Sequence, residues 1–358
     1  MYHDERAHLR FRPKVTPSLF HSFEFCFQII PTFINMQWYN VSHMEEHMNK
    51  KLPLHTKTHL TNALKQLYIS PLERCNLACK ICYTAKPTHI LTEESLRDFV
   101  LRYKKVQELE SVLLCGGEVT LLTYMPSFIN WLTEQGLYVQ IITNGTNLAF
   151  LDALTKPSLV NVIVSIDGRQ PDHDANRGEG QFAQTIAFLQ KAREKGCALD
   201  VFTVVSQRNL RDLSAFEKEL RELFGLSVHV TYHPRKSRAY LQNHPVSNRV
   251  GEVDGFGFLS QKEMNTLAQE HDVFPPPILG CYQFALMSDG MVYACCEGIR
   301  PIGKMTDDIT VMREKLEQRL HDWFAGAVTA PEKQDTLGCV EPQFLCGMSL
   351  SYLHMRKK

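Results

Sequence analysis

The chain has 358 residues, of which 44 % are hydrophobic and 22 % are charged. This balance suits one large folded core or two smaller ones and excludes a wholly disordered protein. Lysine plus arginine equals aspartate plus glutamate at 39 each, so no net charge draws the chain to nucleic acid or to an anionic membrane, and we expect neither as a partner.

The cysteines and the apolar segments bear on where the protein works. The cysteine count is odd, at 11, and several cysteines are clustered in a long chain, which argues against a secreted disulfide framework. The apolar stretch at residues 17–38 is interrupted by polar residues such as His21, Glu24 and Gln28, so it fits neither a membrane span nor a signal-peptide core. We therefore expect a cytoplasmic protein whose reduced thiols are available to metals.

Regular secondary structure is predicted from Lys65 onward. Residues 1–62 show no clear period, and we treat them as an N-terminal extension of uncertain role. After them, short apolar runs alternate with segments of helical spacing. The predicted strands are Leu67–Ser70, Ser111–Leu114, Tyr138–Thr143, Val160–Ile166, Asp200–Val205 and Ser227–Tyr232. The predicted helices are Glu93–Val106, with Thr92 as its N-cap, Tyr124–Gln135, Phe182–Lys195 and Asp212–Phe224.

Strand–helix units in series predict an α/β protein with a parallel sheet, because parallel neighbours need crossover helices. A partial barrel and an open doubly wound sheet both fit this pattern. Either fold places a ligand site beyond the carboxyl ends of the strands. The alternation covers residues 63–234, so we predict a connecting segment at 235–280 and a small cysteine-rich C-terminal domain at 281–358.

The first predicted strand runs into a loop with three cysteines, Cys75, Cys79 and Cys82. Thiolates at this spacing can converge on one inorganic centre. A [4Fe–4S] cluster normally takes four cysteines, so three local ligands leave one iron open for a small molecule. A zinc site is the alternative, although zinc usually draws on paired cysteine units and no second pair lies nearby in the sequence.

This loop resembles that of the radical S-adenosylmethionine (radical SAM) superfamily, whose hallmark is C-x3-C-x2-C after the first strand of a partial β/α barrel. The similarity covers Leu67 to Tyr232. It implies a partial (β/α)6 TIM-like barrel, a [4Fe–4S] cluster on the three cysteines, and S-adenosylmethionine bound at the open iron. The chain departs from the family at Ile81, where the residue before the third cysteine is usually aromatic.

The loops after the second and third strands agree with this resemblance. Gly116 and Gly117 allow a close approach of the backbone to a ligand, and the carboxylate of Glu118 can accept from an ammonium group. The resemblance assigns all three to the methionyl amino group. Asn144 ends the third strand, and we include it among the cofactor-binding residues.

The loop after the fourth strand supplies further polar candidates. Ser165 and Asp167 lie where a ribose or a carboxylate would bind, although ordinary caps and turns use the same residue types. Arg177 follows in a stretch that resembles peptide-modifying members, in which the arginine binds the methionyl carboxylate. A guanidinium suits that role through bidentate pairing, and a surface arginine is the alternative.

The C-terminal cysteines predict a second metal site. Ser288-Asp289-Gly290 between apolar runs predicts a hairpin turn. The tail resembles the auxiliary-cluster domain called twitch, or its larger relative SPASM, and implies one auxiliary [4Fe–4S] cluster; structural zinc on the same thiols is the alternative. The predicted ligands are Cys281, Cys295, Cys339 and Cys346, with Cys296 as a substitute.

The resemblance implies an enzyme that reductively cleaves S-adenosylmethionine to a 5′-deoxyadenosyl radical and abstracts hydrogen from its substrate. Twitch- and SPASM-type members commonly modify peptides, so we expect a peptide or protein substrate that undergoes post-translational modification. The reaction implies a reductant such as flavodoxin or ferredoxin. Two alternatives stay open: a small-molecule enzyme resembling the molybdenum-cofactor synthases, and a non-catalytic zinc or iron–sulfur binding protein. No catalytic acid or base is assigned.

Overall fold

The described strands form one sheet of nine strands. The computed structural model describes residues 64–84, 86–225, 228–235, 253–271, 284–294, 296 and 300–318. The strands are β1 (Gln66–Ile69), β2 (Ser111–Leu114), β3 (Tyr138–Thr143), β4 (Val160–Ser165), β5 (Ala198–Val205), β6 (Val228–Pro234), β7 (Phe284–Leu286), β8 (Met291–Tyr293) and β9 (Pro301–Lys304). Their order across the sheet is β6-β5-β4-β3-β2-β1-β7-β8-β9.

The first six strands are parallel and lie side by side in chain order. This order excludes the doubly wound alternative, in which the strand order reverses at a switch point. The sheet is not closed, because β6 and β9 form its two edges. The predicted partial (β/α)6 barrel is therefore confirmed as an open, mixed α/β sheet.

Helices lie between most successive strands along the chain, and buried residues of several helices share one core with the strands. The helices are α1 (Glu93–Val106), α2 (Met125–Glu134), α3 (Gln170–Arg177), α4 (Gln181–Lys195), α5 (Leu213–Phe224) and α6 (Gln261–Glu270). The Thr92 side chain accepts from the Ser95 N–H at 3.2 Å, so the predicted N-cap of α1 is confirmed. The other predicted helices agree to within a residue at each end, but α3 and α6 were not predicted.

Alternation along the strands separates the helix-facing core from the inner face of the half-barrel. Val112, Val139 and Val162 are fully buried in the helix-facing core. Because successive side chains of a strand point to opposite faces, Asn161, one position before Val162, and Cys115, one position after the buried Leu114, turn to the inner face. The inner face is thus the one toward which ligand-binding side chains can point.

The described part of the C-terminal region extends the same sheet. Strand β7 is parallel to β1, with Tyr68 opposite Ala285. A turn at residues 288–290 then leads to the antiparallel strand β8, so the predicted hairpin is confirmed. Gly290 has φ +78° in this turn, a conformation that other residues rarely adopt.

Several expectations concern positions outside the described residues. They are the extension at 1–62, nearly all of the segment at 235–252, and the auxiliary ligands Cys281, Cys295, Cys339 and Cys346. The division of the chain into domains stays a prediction. Among the helices that the structure does describe, none is long and apolar enough to cross a membrane.

Candidate iron–sulfur and S-adenosylmethionine site

The three predicted cluster cysteines lie on one partly exposed loop directly after β1, and none of them forms a disulfide. Cys75 Sγ accepts from the Leu77 N–H at 3.4 Å and from Asn144 Nδ2 at 3.6 Å. Burial, helped by the nearby Asp167, Cys82 and Cys75, raises the pKa of the Cys79 thiol to about 11 against the opposing charge of Arg177. The Cys79 thiol therefore holds its proton near neutral pH until a metal centre displaces it.

The arrangement of these thiols bears on which metal group they fit. Among the described residues, no three His, Cys, Asp or Glu side chains lie close enough together to hold one metal ion. A four-iron cluster makes a different demand, because each cysteine binds a separate iron and the sulfurs need not meet at one atom. Three thiols on one loop, none of them in a disulfide, fit the ligand set of such a cluster with one iron left open.

Gly116 and Gly117 bring the loop after β2 against the start of the cysteine loop. The Gly117 N–H donates to the Leu72 carbonyl at 3.0 Å, and the Glu118 N–H donates to the Arg74 carbonyl at 2.9 Å. A Cβ at either glycine would lie well inside van der Waals contact with a carbonyl oxygen of residues 72–74. The close approach that the glycines permit is thus to the backbone immediately before Cys75.

The Glu118 carboxylate is buried and joins the loops after β2 and β3. Its Oε1 accepts from Thr120 Oγ1 at 2.6 Å and from Thr143 Oγ1 at 2.7 Å. Its Oε2 accepts from the Asn144 N–H at 2.7 Å. These bonds hold a negative charge that would be costly to bury without partners.

Asn144 continues this network to the cysteine loop. Its Nδ2 donates to Asn76 Oδ1 at 2.9 Å, and Asn76 Nδ2 donates in turn to Thr146 Oγ1 at 2.9 Å. The predicted residues Glu118 and Asn144 therefore meet the first half of the cysteine loop. Ser165, by contrast, is half-buried at the end of β4 and joins no hydrogen bond of this network within the described residues.

Arg177 and Asp167 were expected to bind parts of the cofactor, and they pair with each other. Arg177 Nε donates to Asp167 Oδ2 at 2.7 Å, and Nη2 donates to Oδ1 at 3.2 Å. Burial alone would raise the pKa of Asp167, but the guanidinium holds it below its usual range. Asp167 raises the pKa of Arg177, against the effect of burial. Both groups are thus charged.

Two residues of α3 were missed by the sequence analysis. Asn176 accepts from the Lys80 N–H and the Ile81 N–H and donates to Asp167. His173 Nδ1 accepts from the Asp167 N–H at 3.3 Å, and its ring is buried. The only available signal was their position beside Arg177 in the resembled stretch, because neither residue type at that spacing indicates a loop contact.

Cys296 places the described C-terminal region beside β1. Burial raises the pKa of the Tyr68 hydroxyl, and Cys115 and Cys296 raise it further. The side chain of Tyr68 also hydrogen-bonds that of Cys115. Cys296, the substitute ligand of the predicted auxiliary cluster, therefore lies near the inner face of the half-barrel.

An open half-barrel of parallel strands with a three-cysteine loop after its first strand defines the class of S-adenosylmethionine-dependent iron–sulfur enzymes. Residues 69–220 match the family model described as the Radical SAM superfamily. The chain therefore carries a radical SAM domain, as the motif predicted. This family implies a [4Fe–4S] cluster and S-adenosylmethionine as cofactors.

Curated relatives share this domain but differ in the substrates that their names indicate. The AdoMet-dependent heme synthase of Methanosarcina barkeri is 28 % identical over 181 residues, which cover 48 % of this chain and 52 % of that protein. The sporulation killing factor maturation protein SkfB of Bacillus subtilis is 25 % identical over 177 residues, 48 % of this chain and 40 % of that protein. The chain thus spans about half the length of the curated relatives it matches.

Solved structures show the same fold. The structure described as native anSMEcpe with bound AdoMet has a TM-score of 0.59 at 19 % identity and covers 71 % of this chain and 82 % of its own. Streptococcus suis SuiB bound to its precursor peptide SuiA has a TM-score of 0.56 at 14 % identity, covering 95 % of this chain and 86 % of its own. At these identities the similarity establishes the fold alone.

Proposed function

We propose that this chain is an enzyme that reductively cleaves S-adenosylmethionine to a 5′-deoxyadenosyl radical and abstracts hydrogen from a peptide or protein substrate. The observation that carries the proposal is the loop of Cys75, Cys79 and Cys82, fixed at the carboxyl end of β1 in a radical SAM domain. Cleavage of the sulfonium carbon–sulfur bond is the chemistry that the reduced cluster supplies when it is bound.

The three cysteines would hold the cluster, and the loops around them would bind the methionyl group. Glu118 Oε2 accepts from the Asn144 N–H, and its second lone pair can accept from the amino group. Gly116 and Gly117 set the distance between this carboxylate and the cysteine loop. Asn144 contributes its amide at the same edge of the site.

The opposite side of the site offers a cation for the methionyl carboxylate. Arg177 gives two of its five N–H groups to Asp167, and the remaining three can pair with a ligand carboxylate. Asp167 fixes the plane of the guanidinium, so Arg177 needs little reorganisation to bind. Ser165, at the end of the same strand, is proposed to contact the ribose.

A peptide substrate is supported by the names of several relatives. SkfB, the subtilosin biosynthesis protein AlbA of B. subtilis and the mycofactocin maturase MftC of Mycobacterium ulcerans are named for maturation or biosynthesis of a product. The similarity to the M. barkeri heme synthase favours a small-molecule substrate as the second candidate. An auxiliary cluster on the tail cysteines and a flavodoxin- or ferredoxin-type electron donor belong to the same proposal.

The cofactor assignment is tested by anaerobic reconstitution with iron and sulfide, followed by an assay for 5′-deoxyadenosine with dithionite. The wild type should bind about eight irons per chain, and a variant with Cys75, Cys79 and Cys82 changed to alanine about four, with no deoxyadenosine. Cys197→Ala is the matched control, because that thiol is buried in the helix-facing core with a pKa raised by burial to about 11. Binding of zinc, or a reconstituted wild type that forms no deoxyadenosine, would contradict the proposal.

The substrate class is tested separately with the reconstituted enzyme. Synthetic peptides encoded beside the gene of this chain are incubated with enzyme, S-adenosylmethionine and reductant, and their masses are followed. A mass change that depends on Cys75, Cys79 and Cys82 supports the peptide substrate. No change in any such peptide, together with deoxyadenosine formation that a small molecule stimulates, would favour the second candidate.

A further inference from the structure

The second half of the cysteine loop is held by Asn176, the residue before Arg177 on α3. The Lys80 N–H donates to the Asn176 backbone carbonyl at 3.0 Å, and the Ile81 N–H donates to Asn176 Oδ1 at 3.2 Å. Both amides belong to the segment between Cys79 and Cys82. Asn176 therefore accepts two backbone donors that lie directly between two proposed cluster ligands.

The orientation of the Asn176 amide follows from its partners. Its Nδ2 donates to Asp167 Oδ2 at 2.6 Å, and a carboxylate can only accept. The Ile81 N–H can only donate, so the oxygen of the amide must face the cysteine loop. Asn176 and Asp167 are 4 % and 3 % exposed, which shields both bonds from competition with water.

These amides matter because hydrogen bonds to the sulfurs of an iron–sulfur cluster raise its reduction potential. A donor stabilises the extra negative charge of the reduced form. Cys75 receives two such donors, the Leu77 N–H and Asn144 Nδ2. The N–H groups of Lys80 and Ile81 are directed instead to Asn176.

We propose that Asn176 is a positioning residue that keeps the Lys80 and Ile81 N–H groups away from the cluster's sulfurs and so keeps its reduction potential low. This inference rests on the proposed function. A low potential serves that function, since cleavage of a sulfonium group needs a strong reductant. Asn176 acts through the loop and touches no reacting atom, so it is not a catalytic residue.

The contact is tested first, on the metal-free full-length chain, by residue-resolved hydrogen exchange. The Ile81 amide should be protected in the wild type and should exchange about fivefold faster or more in Asn176→Ala, because one hydrogen bond is lost. The Lys80 amide should keep its protection, since its acceptor is the backbone carbonyl. An unprotected Ile81 amide in the wild type, or unchanged exchange in the variant, would overturn the inference.

The potential is tested next, by redox titration of the reconstituted cluster followed by electron paramagnetic resonance. Asn176→Ala should favour the reduced cluster about tenfold, which is about 59 mV more positive for a one-electron couple. Asn209→Ala is the matched control, because Asn209 Nδ2 donates to the carbonyls of Asp167 and Val204 in the same buried network. The cluster of this variant should have the reduction potential of the wild type. If Asn176→Ala does not fold, Asn176→Ser carries the same expectation, because its shorter hydroxyl side chain cannot span to Ile81.

The outcomes separate this inference from the proposed function. If the wild type forms a cluster but the Asn176 variant has the same or a lower reduction potential, the inference is overturned and the proposed function stays intact. An equal shift in Asn209→Ala would mean general loosening of the network and also overturns it. Failure of the wild type to form a four-iron cluster overturns both, whatever hydrogen exchange reports.

Discussion

Arg177 and Asp167 form a two-point ion pair at the edge of the site, with Nε 2.7 Å from Oδ2 and Nη2 3.2 Å from Oδ1. Their side chains are 11 % and 3 % exposed, so solvent screens the pair little. The same carboxylate accepts from Asn176, which holds the cysteine loop. One buried charge thus orients both the proposed ligand-binding arginine and the cluster loop.

Removing the planar guanidinium should therefore destabilise the fold as well as the site. We expect Arg177→Lys to lower the free energy of unfolding by about 3 kcal/mol, because Asp167 stays buried with its two-point partner lost. Arg169→Lys is the control, since Arg169 pairs with Glu219 at the surface and should change stability by less than about 1 kcal/mol. Denaturant unfolding of both variants checks this. Equal stability losses would contradict the role given to the buried pair.

His173 should make the fold sensitive to mild acid. Burial lowers its pKa to about 4, and the nearby charge of Arg177 acts in the same direction. The unfolded chain takes up the proton near pH 6.5 and the folded chain only near pH 4, so stability is lost as the pH falls across this window. We expect the wild type to lose about 3 kcal/mol more between pH 7 and 4 than His173→Gln, which has no proton to take up. Parallel pH dependences of unfolding for the two proteins would contradict this assignment.

A side chain at Gly117 should displace the cysteine loop. A Cβ there would collide with the Arg74 carbonyl, one residue before Cys75. We expect Gly117→Ala to bind less than about half of the wild-type iron after reconstitution, since this backbone cannot yield without moving the first ligand. Gly136→Ala is the control: its φ of +78° makes the substitution strained, but no atom lies within 4 Å of the added carbon. Its thermal stability should fall while its iron content stays unchanged.

Local patterns predicted the six parallel strands and the cysteine loop because the signal for each lies within one short stretch of sequence. The alternation of Tyr138–Thr143 and the three thiols of the loop need no distant partner to be recognised. Helix α3 was missed because Gln170–Arg177 has no apolar period and is polar nearly throughout. The pairing of Arg177 with Asp167 was missed because both suit a ligand equally well, and only the fold brings them together. The pairing of β7 with β1 was missed because three residues, Phe284–Leu286, give no sign of which strand lies beside them.

The position of β7 predicts that the hairpin region unfolds together with the barrel. Phe284 is 1 % exposed, and its ring packs edge-on against Tyr103 of α1 with centroids 5.3 Å apart. Phe284→Ala should lower the free energy of unfolding by about 3–5 kcal/mol, because it leaves a cavity between β7 and that helix.

This loss should shift a single transition followed by both circular dichroism and tryptophan fluorescence when Phe284→Ala is made in a Trp323→Phe background, whose two remaining tryptophans, Trp38 and Trp131, both precede the hairpin in the sequence. Val311→Ala is the control within the C-terminal region, because Val311 is 46 % exposed and its truncation should change stability by less than about 0.5 kcal/mol. If Phe284→Ala instead shifts a separate, second transition and leaves the fluorescence transition unchanged, residues 281–358 form an independent domain, as the cysteine pattern of the tail predicted.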